Sequence, residues 1–84
     1  MKAICKYSLL LGGSHLELPQ GWEPLHVAMQ DRQACLWALV DPDAPKVPAL
    51  VQSYGMGFSL ADDPGKFLGT AQQGPFVWHF FHVC

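Results

Sequence analysis

The hydrophobic pattern of the chain is centred on residues 33–43. Every side chain from Ala34 to Val40 is apolar, and Asp41-Pro42 ends the run abruptly. Because seven residues are too few for a buried helix of ordinary length, the run predicts a central β-strand covered on both faces. The remaining elements can be arranged as its neighbours.

The first part of the chain alternates between polar and apolar positions. Residues 2–11 follow this period of two with Cys5 and Tyr7 facing inward, which predicts an outer strand. A glycine-rich turn signal and a second alternating stretch follow, ending at Pro19. We therefore predict a hairpin over residues 2–18.

A third strand is predicted over residues 25–30, with one face formed by Leu25, Val27 and Met29. Asp31-Arg32 supplies a tight polar connection into the central strand, so the two strands should pair as an antiparallel hairpin. The next segment, residues 41–48, holds three prolines that cannot donate to a ladder. It is expected to be an extended or turning surface segment.

The rest of the chain predicts further short strands. Gly55 and Gly57 lie on one face of the stretch 49–59, which suggests a bulge or a bend. Turn signals at 62–65 and 72–75 separate two later strands, at 66–70 and 76–83. No segment has a sustained helical period. The pattern predicts one β-rich domain over residues 1–84, an all-β antiparallel sandwich or partly open barrel of six or seven short strands.

Composition narrows the function classes. Half of the 84 residues are hydrophobic and 14% are charged, which favours an apolar surface patch such as a partner site or a homodimer seam. The net charge is −2 and the five Lys and Arg residues are scattered, so nucleic acid is not an expected partner. No stretch has the length or pattern of a membrane span or a signal peptide.

The spacing of the cysteines and histidines does not favour a disulfide framework or a metal site. The three cysteines have an odd count and no C-x-x-C pair, so we expect reduced thiols in a cytoplasmic protein, with Cys35 buried. His79 and His82 should point to opposite faces of their strand, which separates them as metal ligands. We expect no metal and no cofactor.

The acidic residues are the candidate binding groups. Asp41 and Asp43 follow the central strand, and Asp62 and Asp63 lie in a turn, where aspartate is common as a solvated residue. Partner contact and paired-acid catalysis are the other interpretations. With Glu17 or Glu23, these groups could complement a basic partner surface. Trp22 is expected to cover one end of the core and is the remaining candidate for partner contact.

The chain resembles a family of small uncharacterised proteins found mainly in bacteriophages, prophages and other mobile elements. The resemblance is carried by residues 35–42 (CLWALVDP), 54–58 (YGMGF), 67–70 (FLGT) and 76–81 (FVWHFF). Family members commonly have Gly-Thr-Gly-His where this chain has Gly55-Met56-Gly57-Phe58, so the family histidine is missing here. The resemblance implies an accessory protein that binds and disables a host machine, including anti-CRISPR inhibition.

Together these observations favour a non-catalytic protein-binding role, with a host protein or complex as the partner and a possible homodimer. An inhibitor of a host defence complex, acting in the bacterial host cytoplasm, is the sharpest form of this expectation. Two alternatives remain open: a small hydrolase-like enzyme that uses Cys or paired Asp, and a phage structural component that oligomerises.

Overall fold

The computed structural model describes residues 1–55, 57, 59–60 and 62–83. These residues form seven β-strands and no helix. The strands are β1 (Ala3–Leu9), β2 (Gly13–Pro19), β3 (Glu23–Gln30), β4 (Gln33–Val40), β5 (Lys46–Gly55), β6 (Lys66–Gln73) and β7 (Phe76–Val83). The prediction of an all-β protein is confirmed.

The strands form two antiparallel sheets. One sheet has three strands in the order β1-β4-β3, and the other has four in the order β2-β5-β7-β6. Both sheets contribute side chains to one core, in which Val27, Leu36, Val51 and Phe80 are buried. This arrangement is consistent with the predicted small β-sandwich.

The predicted hairpin over residues 2–18 is wrong. β1 pairs with β4 and β2 pairs with β5, so the chain changes sheets between them. Ser14 Oγ accepts a hydrogen bond from Leu10 N at 2.6 Å, and Ser53 N donates to the Gly12 carbonyl at 3.0 Å. The glycine-rich turn signal therefore marks a corner between the sheets, held by these bonds rather than by a ladder between β1 and β2.

The central strand is where it was predicted. β4 lies between β1 and β3, and its inward side chains are all buried: Ala34, Leu36, Ala38 and Val40. The prediction that both of its faces are covered is wrong: on the outer face Cys35 is buried, but Trp37 and Leu39 are partly exposed, because a two-sheet sandwich covers only the inward face. The predicted β3–β4 hairpin is confirmed, and its turn residues Asp31 and Arg32 both have positive φ, 52° and 66°.

Two local predictions, for Leu25 and Pro48, need correction. Leu25 is 49% exposed because a register shift between Pro24 and His26 removes it from the inward face. Pro48 lies within β5 rather than in a loop. It is accommodated because β7 pairs with β5 only from Leu50 onward, so the β7 side of Pro48 carries no ladder.

The end of the chain forms a longer hairpin than expected. Gln72 and Gln73, predicted as part of a turn, belong to β6, and the turn is Gly74-Pro75 alone. The predicted bend near Gly55 and Gly57 includes Met56 and Phe58, which lie outside the described residues. Gly55 ends β5, and Gly57 has a φ of 82°.

Candidate interaction surface

The acidic residues gather at one end of the sandwich, defined here as the acidic end. Because neighbouring strands in each sheet are antiparallel, the starts of β3, β5 and β6 lie at the same end as the last residues of β2, β4 and β7. This places six of the seven acidic residues at or close to that end: Glu17, Glu23, Asp41, Asp43, Asp62 and Asp63. Lys46 and Lys66 start strands there, so the surface is mixed in charge with an acidic excess.

Two of the predicted carboxylates have local structural roles. Asp41 Oδ1 accepts a hydrogen bond from Asp43 N at 3.0 Å, and Asp63 Oδ1 accepts one from Gly65 N at 3.2 Å. Both are the Asx turns that aspartate commonly makes beside proline. Asp43 and Asp62 are exposed, and their carboxylates have no hydrogen-bond or ion-pair partner among the described residues.

Trp22 packs against the core at the acidic end. It is partly buried, and its ring lies edge-on to His82 with 4.9 Å between centroids. The predicted covering role of Trp22 is confirmed, whereas its contact with a partner stays a prediction. Its half-buried position leaves only part of the indole available to another molecule.

The outer face of the four-stranded sheet carries a cluster of aromatic side chains. We define the aromatic face as Tyr54, Phe67, Thr70, His79 and Phe81. Phe81 makes edge-to-face contacts with Tyr54 and Phe67, at centroid distances of 5.8 and 5.5 Å. Thr70 Oγ1 and His79 Nδ1 lie 2.9 Å apart across the β6–β7 pair.

All five members of the aromatic face are exposed or partly exposed, and none is Asp, Glu, Lys or Arg. Phe67 is 54% exposed, although burying its phenyl ring would remove a large apolar area from water and stabilise the protein. Aromatic enrichment and depletion of charge are the compositional features of protein interface cores. The signal was present in the sequence as apolar residues on both faces of β7, but the pattern could not say which face is outward.

A shallow pocket lies beside the aromatic face. It has a volume of about 330 Å³ and is lined by His15, Leu16, Glu17, Pro48, Ala49, Leu50 and Val83. Its polar side chains are His15 and Glu17, both exposed on the outward face of β2. Apart from these two, the lining side chains are apolar.

Cys35 is enclosed. Its side chain is 2% exposed, and Sγ donates to the Gln33 carbonyl at 3.5 Å. Lys6 Nζ donates to Gln30 Oε1 at 2.6 Å, and the strand register makes this bond cross β4 above Cys35. The predicted buried thiol is confirmed.

The histidines do not converge. His79 faces outward beside Thr70, whereas His82 faces Trp22, so the prediction that they lie on opposite faces is confirmed. Across the described part of the chain, no group of three His, Cys, Asp or Glu side chains could hold a metal ion.

Comparison with known families gives a match over the whole chain. The model for a domain of unknown function (DUF7352) matches residues 1–84. The chain belongs to this family. No curated protein and no solved structure matches it.

DUF7352 is a family without a stated activity, and the surface of this DUF7352 chain carries the features that bear on its function. None of the described residues forms a helix of the length and hydropathy needed to cross a bilayer. The surface features available are the aromatic face, the acidic end and the pocket beside β2.

Proposed function

We propose that the chain is a non-catalytic protein-binding module whose contact surface is the aromatic face, with the acidic end as part of its rim. The observation that carries the proposal is the uncharged outer cluster in which Phe81 contacts both Tyr54 and Phe67. Rigid aromatic side chains surrounded by polar groups are the usual anchors of protein interfaces.

Charge favours a protein over a nucleic acid as the partner. The chain has a net charge of −2. Lys6, Lys46 and Lys66 lie on three different strands, and the other two basic residues lie just before β1 and in the β3–β4 turn. Nucleic-acid binding depends on Lys and Arg that neutralise several phosphates along one surface. The aromatic face has no such residue, so its rings lack the electrostatic support that base-stacking surfaces use.

The sharper form of the proposal concerns the partner. We infer an accessory protein of a phage or mobile element that blocks a host defence complex in the bacterial cytoplasm. Its support is the resemblance described above and the acidic end, which would complement a basic surface such as one that binds nucleic acid. The partner's own substrate would then compete for the same surface.

The first experiment tests the aromatic face. The tagged protein is used to capture its partner from host cells, and the affinity of the captured partner is then measured for wild type and Phe67→Ser. We expect at least a tenfold loss, because truncation of an exposed aromatic anchor commonly costs about 1–2 kcal/mol or more of binding free energy. Phe76→Ser is the matched control, since Phe76 is 62% exposed but lies outside the aromatic face.

Equal binding by wild type and Phe67→Ser, with both proteins folded, would contradict the proposed surface. If Phe76→Ser weakened binding instead, the contact surface would lie at the β6–β7 turn. Unfolding is monitored by circular dichroism for each variant. Because Phe67 is largely exposed, its replacement should leave the fold intact.

The second experiment tests the acidic end. Replacing Asp41, Asp43, Asp62 and Asp63 with Asn removes four charges while keeping the Oδ1 acceptors of both Asx turns. We expect slower association with a basic partner and a weaker dependence of the association rate on salt. If the rate and its salt dependence do not change, the acidic end has no part in recognition.

A further inference from the structure

The outer edge of β2 is an unpaired sheet edge. Within the described residues β2 pairs only with β5, and it forms the end of the four-stranded sheet. Exposed edges usually carry Lys or Pro to prevent pairing with another chain. β1, an edge strand of the other sheet, has Lys6 at its centre, whereas β2 has no Lys or Arg and its one proline, Pro19, is its last residue.

The sequence of β2 is complementary to itself in one antiparallel register. If two copies of β2 pair about a two-fold axis at Leu16, His15 of each copy stands opposite Glu17 of the partner subunit. Both side chains are exposed on the same outward face, and neither has a hydrogen-bond or ion-pair partner among the described residues. An imidazole N–H can donate to a carboxylate, so each dimer would contain two such pairs.

We propose that the protein forms a two-fold homodimer by antiparallel pairing of β2 with β2 of a second copy, in the register centred on Leu16. This inference does not depend on the proposed function. The pairing joins the two four-stranded sheets into one sheet of eight strands. It also satisfies backbone groups that the free edge leaves to solvent.

Packing on the inward side supports the same register. Leu16 is only partly buried in one copy, and the two-fold places it directly opposite Leu16 of the partner subunit. Leu10 and Leu11, 66% and 42% exposed, precede β2 in the chain. A closed two-fold contact of this kind uses the same patch on both subunits and leaves no free edge on β2.

The pairs of His15 with Glu17 give a test that depends on the register. His15→Glu places like charges opposite each other twice in the dimer, so we expect its dimer Kd to rise about tenfold or more. Glu17→Lys removes both His–Glu pairs and should also weaken the dimer. A dimer of one copy of each variant keeps one native pair of His15 with Glu17, and its other pair sets the introduced glutamate opposite the introduced lysine. This heterodimer should therefore form at concentrations where each variant alone is monomeric.

The masses of the species are measured by sedimentation equilibrium and light scattering, and thermal melts establish that each variant is folded. Ser8→Glu on the free edge of β1 is the control and should leave the dimer Kd unchanged, since β1 is outside the interface. A wild-type protein that stays monomeric at high concentration would overturn the proposal. So would failure of the mixture to associate, or a dimer that responds to Ser8→Glu and not to His15→Glu.

Discussion

A Cβ atom placed on Gly69 would lie 2.9 Å from Val27 Cβ, so β6 and β3 approach each other closely at this pair. Each strand belongs to a different sheet, so the contact is where the two sheets meet at their edges. We predict that Gly69→Ala destabilises the fold by about 1–3 kcal/mol, because the inserted methyl group has no room. Denaturant unfolding measures the change.

The identity of the obstructing side chain can be tested in a double-mutant cycle. Val27→Ala alone should destabilise the fold because it leaves a cavity in the core. Combined with Gly69→Ala, it should cost less than the sum of the two single changes, since the added methyl group occupies the vacated space. Strict additivity would show that the cost at Gly69 comes from somewhere other than Val27.

Gly65 is predicted to be the least replaceable of the described glycines. Its φ is 100°, and a Cβ there would overlap the carbonyl group of His82 on β7. Gly65→Ala should therefore cost about 3 kcal/mol or more, from backbone strain and a collision with main-chain atoms that cannot rotate away.

Gly21→Ala separates the two contributions. Gly21 also has positive φ, 82°, but a Cβ at this position meets no atom within 4 Å. Gly21→Ala should therefore lower the free energy of unfolding only by the conformational strain of the positive φ, on the order of 1 kcal/mol. Thermal unfolding of both variants gives the comparison, and equal losses would mean that the contact with His82 contributes nothing.

The strands were predictable from the sequence because a period of two reports which side chains are buried. Their partners were less so. The glycine-rich sequence at Gly12 is compatible both with a hairpin turn and with a corner between two sheets. Which of the two forms depends on Ser53, 41 positions away. Ser53 Oγ accepts a hydrogen bond from Gly12 N at 2.6 Å, so the pairing of β1 is decided by a contact that local pattern cannot contain.

The candidate surface was only partly predictable, because its assembly also depends on which strands pair. Strands alternating along the chain would put the turns of Asp41 and Asp62 at opposite ends. They lie at one end because β5 and β6 both pair antiparallel with β7 and so run in the same direction, which the local pattern does not reveal. The aromatic face requires knowing which side of β7 is outward. Apolar residues on both sides of that strand leave the question open until Phe80 is seen in the core and Phe81 outside it.

Stability is predicted to fall at alkaline pH through Tyr7. Burial raises the pKa of the Tyr7 hydroxyl above its ordinary value of about 10, and the neighbouring Cys5 adds to the rise by charge and by hydrogen bonding. The folded state therefore binds the phenolic proton more tightly than the unfolded state does. This contribution is complete below about pH 10 and is lost as the pH rises through the raised pKa.

Tyr7→Phe should remove this part of the alkaline loss, which unfolding experiments across the alkaline range would measure. Cys5→Ser should lower the pKa of Tyr7 only part of the way, because burial is the larger cause. A tyrosinate absorbance titration gives the pKa directly. Finding the same alkaline loss in Tyr7→Phe as in wild type would assign it to another group.

The bond between Lys6 and Gln30 is predicted to control the reactivity of Cys35. The bond crosses β4 above the thiol, whose side chain is 2% exposed. In a background that lacks Cys5 and Cys84, Lys6→Ala should increase the rate of Cys35 labelling by a thiol reagent about two- to tenfold, the equivalent of one hydrogen bond. Lys66→Ala, at the start of β6, is the control and should not change the rate. If Lys6→Ala labels no faster than the control, the thiol is protected by the packing of β1 and β3 against β4, and the lysine serves only the surface.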